Sequence, residues 1–97
     1  MSDTGQVVRA DLGGERPRQV LVLSNRRFST RTGRALVAPE WLGPPDVQLL
    51  PWQVRVGAAV FAVDRLVSVK TDRLLDDVGE APYTAVMAAR RALLAIT

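Results

Sequence analysis

Arg18-Gln19-Val20-Leu21-Val22-Leu23-Ser24 is a dense apolar run of strand length, far too short for a helix of ordinary size. Four aliphatic residues in a row, with no polar residue alternating between them, predict a strand over Gln19–Ser24 buried on both faces. Such a strand sits in the middle of a sheet. On its N-terminal side Leu12-Gly13-Gly14-Glu15-Arg16-Pro17 carries the glycines and proline of a turn, and Gln6–Asp11 before it reads as a first strand. On its C-terminal side Asn25 to Arg34 is polar and basic and is expected to be a loop or hairpin arm. Ala35–Pro39 is a third short strand, closed by its proline.

Farther along, residues 41–52 hold Gly43-Pro44-Pro45 with a tryptophan near each end, the composition of a long loop. Gln53–Val56 and Ala59–Val63 flank Gly57-Ala58 as a hairpin, and Arg65–Val69 is a further strand candidate. Asp72–Asp77 has the make-up of one helical turn. The tail is the clearest helix: Pro82 suits a first turn, and Val86, Ala89, Leu93 and Ile96 recur along one face. Tyr83 is expected to pack, half-buried, at its start. Strands first and one helix last give an α+β, mostly β domain: a small twisted or partly closed sheet with a C-terminal helix packed on it. One domain spanning 1–97 is expected from the 97 residues.

Composition narrows the chemistry. The chain has no cysteine and no histidine, which removes disulfides, thiolate nucleophiles, imidazole bases and most zinc sites. Its thirteen bases against ten acids give +3, and twelve of the bases are arginine. Residues 1–36 hold seven arginines against Asp3, Asp11 and Glu15, whereas residues 37–97 hold six bases against seven acids. The positive charge thus lies in the N-terminal third, and arginine forks suit phosphate or carboxylate partners. No apolar run approaches the ~18–20 residues of a membrane span. The opening Met-Ser-Asp-Thr-Gly lacks the layout of a secretory signal, so the expected compartment is the cytoplasm, with no membrane partner.

Arg26-Arg27-Phe28-Ser29-Thr30-Arg31-Thr32-Gly33-Arg34 places four guanidiniums, three hydroxyls and a ring within nine residues. Such a segment grips phosphates and stacks a base, or else forms a solvated tip with Phe28 turned into the core. Arg16 and Arg18, two apart, point to one side of a strand if both are extended, either holding an anion at the sheet rim or pairing with Asp11 and Glu15. Trp41 stands open as a base-stacking ring, and Trp52 reads as a loop anchor. Asp72 and Asp76, with Asp77 and Glu80 nearby, are read as helix-start and surface charges rather than metal ligands, and no cofactor is expected.

The order of these features resembles the MazF/PemK toxins of bacterial toxin–antitoxin pairs, whose fold is shared by Kid and by the gyrase poison CcdB. Gly5-Gln6-Val7-Val8-Arg9-Ala10-Asp11-Leu12 is similar to the family's Gly-Asp-hydrophobic-hydrophobic start, and Arg18 to Ser24 resembles its Arg-Pro-x-x-Val-Leu-Ser strand. Thr32-Gly33, Leu36-Val37-Ala38-Pro39 and Asp64-Arg65-Leu66-Val67-Ser68-Val69 fall on later family motifs. The resemblance implies a small antiparallel β-barrel working as a homodimer. It also implies a toxin that cleaves single-stranded RNA without metal, leaving 2′,3′-cyclic phosphate and 5′-hydroxyl ends. Arg18 takes the place of the catalytic arginine; Arg16, Arg26, Arg27, Phe28, Arg31, Arg34 and Trp41 are the expected RNA contacts. The implied partners are an acidic, partly disordered antitoxin and single-stranded RNA, with gyrase as the alternative target. Two positions depart from the pattern: Gln19 replaces the proline, and Trp41 replaces the catalytic threonine. Either a nearby hydroxyl (Ser24, Ser29 or Thr30) substitutes for that threonine, or RNA cleavage is weak or lost.

Overall fold

In a computed structural model, which describes residues 3–43 and 49–97, seven strands and two α-helices follow one another. They are β1 (Gln6–Ala10), β2 (Arg18–Val22), α1 (Arg26–Thr32), β3 (Arg34–Pro39), β4 (Gln53–Val56), β5 (Ala59–Ala62), β6 (Val67–Lys70), β7 (Leu74–Glu80) and α2 (Tyr83–Ile96). Five strands form one antiparallel sheet in the order β6-β3-β2-β1-β7, and β4 with β5 forms a separate hairpin. β2 is therefore central, as its sequence demands. Its alternate residues go to opposite faces: Leu21 joins a core with Phe61, Val63 and the inner side of α2, while Val20 and Val22 join Val8, Ala35 and Val37. All three β2 residues are at most 1% exposed. Each such burial is worth roughly 1.5–3 kcal/mol relative to an exposed side chain.

The sheet curls but does not close. β6 and β7 are consecutive in the chain, yet they lie on opposite edges, joined by a 3-10 turn at Thr71–Arg73. That turn is tied to both sides of the curl. The Thr71 N–H donates to the Gly33 carbonyl at 3.0 Å, and the Asp11 N–H donates to the Arg73 carbonyl at 2.9 Å. Gly5 closes the other end. At φ 91° its N–H donates to the Val22 carbonyl at 2.9 Å, and its own carbonyl accepts from the Ala81 N–H at 2.7 Å.

Five expectations change. The basic segment Asn25–Arg34 contains a helix, because Asn25 caps α1 through Oδ1 to the Phe28 N–H at 2.9 Å and Gly33 ends it in the left-handed region at φ 69°. Asp72–Asp77 is mostly strand: β1 has an open edge there, and β7 fills it with cross-strand pairs from Arg9 to Asp76 and from Gln6 to Asp77, each at 2.7 Å. The buried face of α2 is Ala85, Ala89 and Ala92, with Val86 and Leu93 half-buried and Ile96 exposed, since small side chains let the helix lie close on the sheet. Tyr83 is 74% exposed rather than packed. The strand placed at Arg65–Val69 begins at Val67, because Val63–Arg65 is a 3-10 turn. Residues 44–48 of the expected Pro-rich loop lie outside the described residues. Trp52 anchors the far side as expected, half-buried against the core with its carbonyl accepting from the Val63 N–H at 2.9 Å.

Gly5 is the most constrained position: an added Cβ would meet Val86 Cγ2 at 2.9 Å, on a backbone that L-residues rarely adopt. Gly5→Ala should lower unfolding free energy by about 2 kcal/mol in a urea melt. Asn25→Ala should lower it by about 1 kcal/mol, through loss of the α1 cap.

Candidate nucleic-acid interface

Arg18 opens β2, at the end of the sheet where β1 and β3 also finish. One of its guanidinium nitrogens donates to the Glu40 carbonyl in a short hydrogen bond, and its Nε is buried without a partner. The Glu40 carbonyl is in place because the strand pairing continues past Pro39, with the Glu40 N–H donating to the Gln19 carbonyl at 3.1 Å. The guanidinium is thus held at its base by backbone and lines a groove of about 490 Å³.

That groove is lined by four basic residues, Arg18, Arg34, Lys70 and Arg73, with Asp11 the one carboxylate among its lining residues. Apolar wall comes from Leu12, Pro39, Val67 and Val69. Each base reaches the site for a local reason. Leu36 turns its carbonyl toward β2, where the Leu23 N–H donates to it at 2.8 Å, so the opposing Ser68 turns its own carbonyl off the free edge of β6. Arg34 wraps over that edge, with Nε donating to Ser68 Oγ at 2.8 Å and a terminal nitrogen to the Ser68 carbonyl at 2.9 Å. This bond blunts an otherwise open strand edge. Arg73 pairs with Asp11 at 3.3 Å, and Asp11 also accepts from the Gly13 N–H at 2.9 Å. Both members of that ion pair are about half exposed, so it contributes at most ~1 kcal/mol and yields readily to a stronger anion.

The expected RNA contacts divide between two places. Arg18 and Arg34 come together in the groove. Arg26, Arg27, Phe28 and Arg31 lie on α1 instead. Arg26 meets the Asp3 carboxylate at 3.8 Å and borders a second trough of about 570 Å³ with Ser29, Thr30, Thr71, Asp76 and Asp77. Arg27, Arg31 and Phe28 are exposed, Phe28 at 37%, so the ring is not tucked into the core. Arg16 sits in the exposed bend before β2 and does not share a strand face with Arg18. Trp41 is half-buried, its N–H donating to the Val60 carbonyl at 2.6 Å, and the Arg65 guanidinium lies over its ring at 4.7 Å.

Of the hydroxyls, Ser24 is 8% exposed and its Oγ accepts from the Leu36 N–H at 3.0 Å, Ser29 is equally buried within α1, and Thr30 faces the second trough. The hydroxyl that lines the Arg18 groove is that of Ser68. Sequence reading passed over Ser68, Lys70, Arg73 and Arg65. The alternation Val67-Ser68-Val69-Lys70 held the signal for two of them, because it places Ser68 and Lys70 on the face opposite the valines. Arg65 and Arg73 enter only through 3-10 turns that the sequence pattern does not announce. Of the acidic residues from Asp72 to Glu80, Asp72 lies in the 3-10 turn and the others along β7, with Asp76 and Asp77 paired to β1.

No curated protein matches the chain in sequence. Solved structures do match in fold. An endoribonuclease in complex with its cognate antitoxin, from a mycobacterial species, superposes with a TM-score of 0.84 at 22% identity, over 98% of this chain and 93% of that one. MazE–MazF from Deinococcus radiodurans gives 0.81 at 24% identity, over 98% and 93%. The Mycobacterium tuberculosis toxin MazF-mt6 gives 0.74 at 21% identity, over 91% of each chain. At these identities the likeness establishes the fold. The sequence itself is matched over residues 3–97 by the family model of PemK-like, MazF-like toxins, and the chain therefore belongs to that toxin family of type II toxin–antitoxin systems.

Proposed function

We propose that this chain is the toxin of its pair and acts as an endoribonuclease on single-stranded RNA, with Arg18 at the scissile phosphate. The observation that carries the reading is the groove of Arg18, Arg34, Lys70 and Arg73 in a member of this family. The ribose 2′-oxygen attacks the adjacent phosphorus, the bond to the 5′-oxygen breaks, and a 2′,3′-cyclic phosphate and a 5′-hydroxyl remain. The proton lost by the 2′-hydroxyl goes to a base, and a proton is delivered to the leaving 5′-oxygen. An arginine remains protonated and cannot be the base, so its part is to stabilise charge on the phosphorane. Asp11 is the carboxylate lining the groove and takes the base role; Ser68 supplies a hydroxyl where Trp41 offers none. Arg16 and the α1 residues Arg26, Arg27, Phe28 and Arg31 hold the RNA chain on either side.

One endoribonuclease of this fold is solved in complex with its cognate antitoxin and another relative as MazE–MazF; an antitoxin partner is proposed here too, its acidic tail competing for the basic rim. A homodimer is proposed because Leu75 and Val78 on β7 and Leu94 on α2 remain 47–78% exposed. Among the described residues no helix is long and apolar enough to cross a membrane, and action in the cytoplasm, where mRNA lies, is part of the proposal. The gyrase alternative is the weaker reading, since the matching model is of PemK/MazF toxins.

In EDTA, the protein should cut a long single-stranded RNA into discrete fragments with cyclic-phosphate ends. Arg18→Ala should lower kcat/KM by about 10²–10³-fold, the usual cost of one transition-state donor. Intact RNA at enzyme excess would overturn the reading. Lys70→Ala and Arg73→Ala should each weaken binding across all sequences, reducing the slope of log K against log salt by about 0.7. Light scattering should give twice the 10.6 kDa of one chain.

A further inference from the structure

The strand β5 holds two side chains that the sequence keeps twenty-four positions apart. Trp41 is fixed by its backbone bond to Val60 within β5, and Glu40 bridges to Phe61 beside it. Arg65 ends the 3-10 turn that follows β5 directly, a turn closed by the Leu66 N–H donating to the Val63 carbonyl at 3.2 Å. The result is a guanidinium 4.7 Å from the centre of the Trp41 ring. Gly43 is packed so closely on the same indole that a Cβ there would come within 2.3 Å of three ring atoms, so the ring plane is fixed by backbone. Trp41 is also the residue whose preceding carbonyl receives the Arg18 guanidinium. A flat aromatic residue therefore follows, by one peptide unit, the carbonyl that holds the arginine of the groove.

We propose that Trp41 and Arg65 form a stacking site for one unpaired nucleobase of the RNA, a proposal that rests on the reading of the Arg18 groove as an RNA site. In the free protein Arg65 covers the ring. A base stacks on tryptophan more strongly than an exposed guanidinium does, so the base takes the ring. The displaced guanidinium of Arg65, a surface residue, turns to the RNA backbone as an added phosphate contact. Trp41 then contributes to binding through bases and Arg65 through charge, and these two contributions can be separated.

The experiment compares a short single-stranded RNA with an abasic oligonucleotide of the same length and charge, both end-labelled, by anisotropy. Fluorescence is read in a Trp52→Phe background, where Trp41 is the only indole. The RNA should quench Trp41 emission, and the abasic strand should bind without quenching it. Trp41→Ala in the otherwise native chain should weaken RNA binding by about 5–150-fold, the span of one base stack, and leave the abasic strand unaffected. Trp41→Phe should recover part of the loss. Arg65→Ala should weaken RNA binding and reduce its salt slope by about 0.7, with little effect on the abasic strand, which leaves Arg65 on the ring, while RNA quenching persists in the Trp52→Phe background. Equal losses for the two strands in Trp41→Ala would mark the ring as merely structural and overturn the stacking site, leaving the groove reading intact. An unchanged salt slope in Arg65→Ala would overturn the part assigned to Arg65. Binding of neither strand to the unmodified protein would overturn the groove reading and the stacking site together.

Discussion

A strand buried on both faces has to be covered on both faces, and that constraint on β2 organises the molecule. Leu21 needs a layer on one side, which α2 and the β4–β5 hairpin supply. Val20 and Val22 need one on the other, and among the described residues no second helix of comparable length exists to provide it. The sheet supplies it by curling on itself, bringing Val69 of one edge strand and Leu74 of the other toward the same apolar cluster. A three-residue turn then suffices to join strands at opposite edges. The same curl sets the ends of β1 and β2 near β6, so the first residue of β2 faces a groove instead of open solvent.

The candidate site is held mainly by main-chain bonds. Arg18 rests on the Glu40 carbonyl, Arg34 on the Ser68 carbonyl and Trp41 on the Val60 carbonyl. The ion pairs nearby are exposed and weak by comparison. An anionic ligand can therefore exchange with Asp11 at Arg73 without loosening the scaffold that positions Arg18. Positive charge concentrated in such a groove also speeds the approach of a polyanion and makes the encounter sensitive to salt.

Much of the sheet was legible. The apolar run at 20–23, the prolines and glycines between strands and the alanine-rich tail place most elements within a residue or two. Helix α1 was missed because its stability comes from a cap at each end, Asn25 and Gly33, while its body is polar and carries no apolar period. β7 was missed because its residues are mostly polar and acidic; it is a strand only by virtue of the open edge of β1 and the Arg9 and Gln6 side chains there. β propensity reflects neighbours more than intrinsic preference, so a strand of this kind has little local signature.

By itself the sequence determined the central strand, the C-terminal helix and the absence of cysteine and histidine chemistry. Those depend on local period and composition, which need no partner to be read. Tertiary structure alone decided that Arg18 keeps company with Lys70 and Arg73 rather than with Arg16 and the α1 arginines, and that Trp41 lies under Arg65. Such meetings are fixed by how far the sheet curls and by which backbone carbonyls remain unpaired at its edge. Both follow from burying β2 on two sides at once, a condition on the whole chain that no single segment encodes.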